Sequence, residues 1–308
     1  MFDFLAHADW STSPRKRWVS LARRTDGRWQ VDTPVRVGDI EEFLSELVLP
    51  SPAATRWLVG FDFPIGVPEA YGRLTGQKNF LDLLKSLGTE SWPEFFQVAE
   101  RPEQISIKRP FYPYRPGGTT RSHLHESLGL SDFALLRCCE RRTDQRKAAC
   151  SLFWTLGGQQ VGKAAISGWK EVLLPALQQG VRLWPFEGSL EELAKVEGSV
   201  IAETYPGEAY AHIGVRFKSG QSKQRQSDRQ DKAEAILNWA AAWNVDLSDP
   251  ARSVVADGFG PKKSGEDPFD AFVGLLAMIE LVDGRRSEGM AGDPAVQLWE
   301  GWILGQQR

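Results

Sequence analysis

The sequence predicts an α/β protein built on one mixed sheet. Three observations carry this: short strand candidates joined by tight turns open the chain, a capped amphipathic helix follows, and the next apolar run is uniform enough to be buried on both faces. At 308 residues the chain exceeds the ~150 residues of a typical domain. It reads as a single elaborated domain over 1–308, with an inserted helical and loop region at about 66–160.

Phe4 to Asp9 is the first strand candidate, closed by the polar turn Trp10-Ser11-Thr12-Ser13-Pro14. Arg17 to Ala22 is the second, and Thr25-Asp26-Gly27 turns it into a third over Arg28 to Val31, an antiparallel meander. Asp39 can cap a helix from Ile40 to Val48, with Glu42 completing a capping box and Ile40, Phe43, Leu44 and Leu47 at helical spacing. Pro50 and Pro52 stop it, and Arg56 to Asp62 is an apolar run suited to the middle of a sheet. The order is β-β-β-α-β.

Between Pro64 and Ser131 the pattern weakens. Short helices are expected at Asn79 to Leu87 and Trp92 to Val98, and Arg109 to Gly118 is loop because its prolines remove amide donors. Such an insertion commonly builds an active-site wall or lid. Helical tendency returns over Leu130 to Trp154 and Gly162 to Gln179. Val181 to Phe186 reads as a strand, Ser189 as a helix cap, and Ser199 to Pro206 as a strand running into a turn. Helices are expected over Asp228 to Trp243, from Asp267 to Gly284, and around Leu298 to Ile303.

Hydrophobic residues at 42% and charged residues at 25% exclude a disordered chain. The three cysteines give neither a disulfide framework nor a CxxC zinc pattern, so a reducing cytoplasmic setting is expected. Phe2-Asp3-Phe4 lacks the features of a signal peptide, and no apolar run reaches the ~18 residues of a membrane span. The net charge of −3 decides nothing about a polyanionic partner, although residues 101–150 hold ten Lys or Arg against five Asp or Glu.

Five acids stand where a sheet-based site could use them: Asp9, Asp62 and Glu203 at strand ends, and Asp267 and Asp270 at a helix start. Clustered carboxylates repel unless a hard cation neutralises them, so the constellation points to Mg²⁺ or Mn²⁺ held by Asp9, Asp62, Asp270 and Asp267. Bound metal would let such a cluster hydrolyse a phosphodiester, with Glu203 bordering the cluster as a further catalytic acid. Turn closure, helix capping and salt bridging are the ordinary alternatives for each acid. Lys218, Lys223 and Arg225, with Arg229 nearby, could grip phosphates. Gly157-Gly158-Gln159-Gln160-Val161-Gly162-Lys163 lacks the Ser or Thr of a phosphate loop, and the pair His123 and His125 lacks a third ligand.

Asp9-Trp10-Ser11, Val59-Gly60-Phe61-Asp62-Phe63-Pro64-Ile65-Gly66, Gly162 to Trp169, Glu203-Thr204-Tyr205-Pro206 and Asp267-Pro268-Phe269-Asp270-Ala271 together resemble an uncharacterised prokaryotic family of predicted nucleases with a ribonuclease H-like fold. The resemblance spans nearly the whole chain. It implies a mixed five-stranded sheet, three antiparallel strands and then two parallel ones, with helices on both faces and a long insertion after the fourth strand. It also implies that Asp9, Asp62 and Asp270 are the acids of the first strand, fourth strand and last helix. Glu203 belongs to the narrower family's signature. The chain departs from Holliday-junction resolvases in carrying Asp at 62 where Glu is usual. The expected activity is metal-dependent hydrolysis of DNA or RNA. The alternatives are a small-molecule kinase or ATPase of the same superfamily and a non-catalytic binding module.

Overall fold

The computed structural model describes residues 1–48, 55–143, 147–156, 161–289 and 292–307. Pro50 and Pro52, the side chain of Leu47, and residues 157–160 of the glycine-containing run lie outside what is described.

The strands are β1 (Phe4–Asp9), β2 (Trp18–Thr25), β3 (Arg28–Val31), β4 (Val35–Arg36), β5 (Arg56–Phe61), β6 (Arg182–Leu183), β7 (Gly198–Glu203) and β8 (Asp246–Leu247). They form one sheet in the order β6-β7-β5-β1-β2-β3-β8, with β4 pairing β2. β1, β2 and β3 are antiparallel, while β5 runs parallel to β1 and β7 parallel to β5. The β2–β3 hairpin turns at Asp26 and Gly27, both at positive φ, as a tight two-residue hairpin requires. The sheet has eight strands rather than the five expected. Of the additions, β6 falls within the strand expected at Val181 to Phe186 but pairs over only two residues, and β4 and β8 are two-residue pairings too short to register as an apolar pattern.

Alternation along the strands gives the sheet two covered faces. Ala6, Ala8, Val59, Phe61 and Ile201 pack with helix α1 (Ile40–Val48) and with Phe80, Phe95, Phe111, Phe153 and Trp169. Asp39 caps α1, its carboxylate accepting from the Glu41 and Glu42 amides at 2.9 and 3.0 Å. Trp169 follows helix α2 (Val161–Gly168), which continues through a π-helical turn to Leu173. Leu5, Ala22, Leu58, Val200 and Ala202 line the opposite face. Beyond β7 come α3 (Pro206–His212), α4 (Gln226–Gln230), α5 (Ala233–Ala242) and the long α6 (Glu266–Val282). α6 packs on β1, β2 and α3 and is buried continuously from Pro268 to Leu281. Among the described residues no helix is long and apolar enough to cross a membrane.

Within the insertion, Asn79 caps a helix at Phe80–Ser86 through a 2.8 Å bond from the Asp82 amide. No helix forms at Trp92 to Val98, where the chain makes turns. Leu130 to Trp154 does not form the helix expected either. Its described residues hold only single 3₁₀ turns at Phe133–Leu135 and Cys138–Glu140. The reason is tertiary: Arg137, only 1% exposed, is drawn into the protein by buried acceptors, and that outweighs helical propensity. The expected Asp228 to Trp243 helix is likewise broken between α4 and α5, and Asp228, inside α4, accepts from the Ser222 amide at 2.7 Å.

Gly274 marks a close approach of α6 to β1. A Cβ there would lie 2.2 Å from Cε1 of the His7 ring, which is fully buried. G274A should therefore lower unfolding free energy by about 2 kcal/mol, the cost of overpacking a filled core. Urea denaturation of the variant beside wild type checks this, and unchanged stability would show that the two elements separate freely.

Candidate active site

Strand alternation decides which acids meet. Ala8 pairs Phe61 across β1 and β5, so Asp9 and Asp62, each one residue further along, emerge together on the α6 face. The Trp10 amide donates to Asp62 Oδ1 at 2.6 Å, and Asp9 and Asp62 also meet side chain to side chain. Asp270, in the first turns of α6, reaches the same place. The Tyr210 hydroxyl of α3 donates to Asp270 Oδ1, and Lys223 Nζ donates to its Oδ2 at 2.5 Å. The same ammonium lies 3.1 Å from Glu266, one helical turn before Asp270.

Electrostatics follow from this crowding. Burial pushes the Asp62 carboxyl up to about 7 against the opposing Trp10 hydrogen bond, and the charge of Asp270 adds to the rise. Burial also holds Asp9 well above the usual carboxylate range, reinforced by Asp62, Asp270 and Asp267. Asp270 is raised by burial, with Lys223 and Tyr210 opposing. Burial works against the Lys223 charge, yet Asp270 and Glu266 hold the ammonium above the ordinary lysine range. Asp267 is half-buried beside the cluster; burial and Glu266 raise it, and Lys16 opposes.

Glu203 does not join them. It pairs Phe61 rather than the position beyond, so it points to the opposite face of the sheet. There Arg137 grips it in two bonds, Nη1 to Oε2 at 2.6 Å and Nη2 to Oε1 at 2.7 Å, and the Ile65 amide donates to Oε2 at 2.7 Å. Arg137 also donates to Glu140 at 2.8 Å and to the Ile65 and Glu300 carbonyls. This buried pair fastens the insertion to the sheet. Lys218 is exposed, and Arg225 is committed to Asp228 at 2.6 Å. Of the three cations expected to grip phosphates, Lys223 alone is shown bonded to a cluster acid.

Tyr210 and Glu266 were not legible as site residues, although the four-residue spacing of Glu266 and Asp270 on one helix would have linked them. Arg229 acts on the backbone. Fully buried, it donates to the carbonyls of Gly258, Gly260 and Lys262 at 2.7, 2.7 and 2.9 Å and to that of Lys223. It thereby pins the Lys223 backbone beside α6.

Among the described residues, no three His, Cys, Asp or Glu side chains already stand in ligating geometry. Asp270 directs its two oxygens to Tyr210 and Lys223. The donor set still fits a hard divalent cation: three carboxylates from separate elements, two of them partly open to solvent, whose mutual repulsion a cation would relieve. Comparison with protein-family models, with curated proteins and with solved structures finds no match.

Two outcomes follow. An aspartate whose pKa moves from an ordinary 3.8 to about 7 on folding binds more protons when folded, so the stability it contributes falls as pH rises between those values. His7 acts in the opposite sense, because burial lowers it from 6.5 to about 4. The wild-type-to-D62N difference cancels the histidine. In chelated buffer D62N should gain on wild type steadily from pH 4 to pH 7, and a flat difference across that range would contradict the geometry. E203Q should instead lose about 3 kcal/mol, since it removes the two-bond carboxylate partner of a buried guanidinium and leaves Glu140 alone to balance the charge. Denaturant unfolding of E203Q at neutral pH measures that loss.

Proposed function

We propose that this chain is a metal-dependent nuclease of ribonuclease H-like fold that hydrolyses phosphodiester bonds in DNA or RNA. The observation that carries the reading is the meeting of Asp9, Asp62 and Asp270 at the ends of two adjacent parallel strands and in the first turns of a helix. The strand sequence β3-β2-β1-β5-β7, three antiparallel strands and then two parallel, supports the fold assignment, with β6 and β8 as edge additions. The motif order that resembles the predicted-nuclease family supports it independently.

In this reading Asp9, Asp62 and Asp270 hold Mg²⁺ or Mn²⁺, with Asp267 beside them. The bound cation would supply a polarised phosphoryl oxygen and an activated water. The chain's own residues do the rest. Tyr210 fixes the orientation of Asp270, and the Trp10 amide fixes that of Asp62. The exposed cations Lys16, Lys218, Lys262 and Lys263 suit a polyanion. Tyr205 is 47% exposed just after β7, where the Thr204 amide bonds the Phe61 carbonyl beside Asp62, and an aromatic face there suits an unstacked base.

The test is cleavage of labelled single-stranded, duplex, hybrid and branched substrates with Mg²⁺ or Mn²⁺. D62N and D270N should each lower turnover on the order of a hundredfold or more, since such groups act where charge develops. K262Q with K263Q should chiefly weaken binding and flatten its salt dependence. Absence of cleavage of every substrate, or equal rates in wild type and both acid variants, would displace this reading in favour of a small-molecule kinase or a binding module.

A further inference from the structure

Lys223 carries two roles that conflict in a single state. As a phosphate-gripping residue its ammonium should face substrate, yet it is bonded to Asp270 at 2.5 Å and Glu266 at 3.1 Å. Both acids lie on one face of α6, one turn apart, so the ammonium sits between two carboxylates. With Tyr210 on the other oxygen, Asp270 has a hydrogen-bond partner on each oxygen. The Lys223 backbone is held by Arg229, whereas its side chain remains 37% exposed on a flexible four-carbon stem. The side chain can therefore move while its anchor stays fixed.

We propose that Lys223 is an exchangeable internal counter-ion. A divalent cation arriving at Asp9, Asp62 and Asp270 displaces the ammonium from Asp270, and the freed ammonium then holds an anionic phosphate beside that cation. This rests on the nuclease reading and adds to it that metal and phosphate bind with positive coupling through one side chain. A compact dication outcompetes a single charge for a carboxylate cluster, and Glu266 remains as the resting place of the ammonium. Reciprocity follows, because a phosphate that draws Lys223 outward raises affinity for the cation by the same factor.

The experiment is calorimetric titration of Mg²⁺ into wild type, K223Q and K223R at pH 8, without ligand and then with thymidine 3′,5′-bisphosphate, alongside thermal melts in EDTA. Without the bisphosphate, K223Q should bind Mg²⁺ on the order of tenfold more tightly than wild type, as removal of a coupled competitor requires. K223R should bind it more weakly, since a guanidinium grips a carboxylate with two bonds. The bisphosphate should tighten Mg²⁺ binding in wild type, and that gain should shrink in K223Q. Unchanged or weaker Mg²⁺ affinity in a cooperatively melting K223Q overturns the exchange. If K223Q does not melt cooperatively, K223R decides: affinity equal to or tighter than wild type overturns it. Wild type that cleaves nucleic acid while failing these comparisons loses only this inference, whereas wild type that binds neither Mg²⁺ nor, in the same titration, Mn²⁺ loses the nuclease reading as well.

Discussion

Negative charge concentrated at the ends of β1 and β5 must be compensated before anything else in this protein can be arranged. Asp9, Asp62 and Asp270 are close enough to oppose one another's ionisation, and Asp267 and Glu266 add to the same field. The chain answers with Lys223, and the position of Lys223 depends in turn on Arg229, whose four carbonyl partners knit residues 258–262 to the segment before α4. The helix bearing Asp270, the loop leading into it and the strand ends it faces are thus one electrostatic unit. Removing the lysine would leave like charges in a partly desolvated place, where repulsion is least screened.

The other face of the sheet solves a different problem with similar groups. Glu203 is an acid at a strand end, as Asp62 is, yet one residue of register sends it toward the insertion and into the grip of Arg137. That pair is fully paired and hydrogen-bonded, the condition under which buried charge is tolerated. Arg137 also reaches the Ile65 and Glu300 carbonyls, so three distant stretches of chain share one guanidinium. Carboxylates of equal rank in sequence become either a mutually repelling cluster or a structural rivet according to strand parity.

Much of this was legible from residue order. The meander, the Asp39 cap, the apolar β5 and α6 with Pro268 in its first turn follow from local chemistry, and each appears within a few residues of where its sequence places it. Asp9, Asp62 and Asp270 were legible because a carboxylate that ends an apolar run or opens a buried helix must be desolvated, and a desolvated acid needs a partner. Glu203 looked equivalent because sequence does not reveal the register of β7 against β5. The expected helix through Arg137 failed because its partners lie 66 and 163 residues away in sequence. The contacts of Tyr210 and Lys223 to Asp270 span 60 and 47 residues and leave no local pattern. The short β4 and β8 are fixed by pairing alone.

The contact between Gly274 and the His7 ring bears on more than packing. His7 and Asp9 are two residues apart on one face of β1, about 6.8 Å along a strand. Gly274 and Asp270 are four apart on one face of α6, about 6 Å along a helix. The two spans are nearly commensurate, so seating the glycine on the imidazole sets Asp270 level with Asp9 in the manner of a ruler laid against a scale. Axial slippage of α6 by a single residue would break both registrations at once. Positions 7 and 274 therefore constitute one inherited measurement, and a larger residue at one is compatible with the site only when the other shrinks in step.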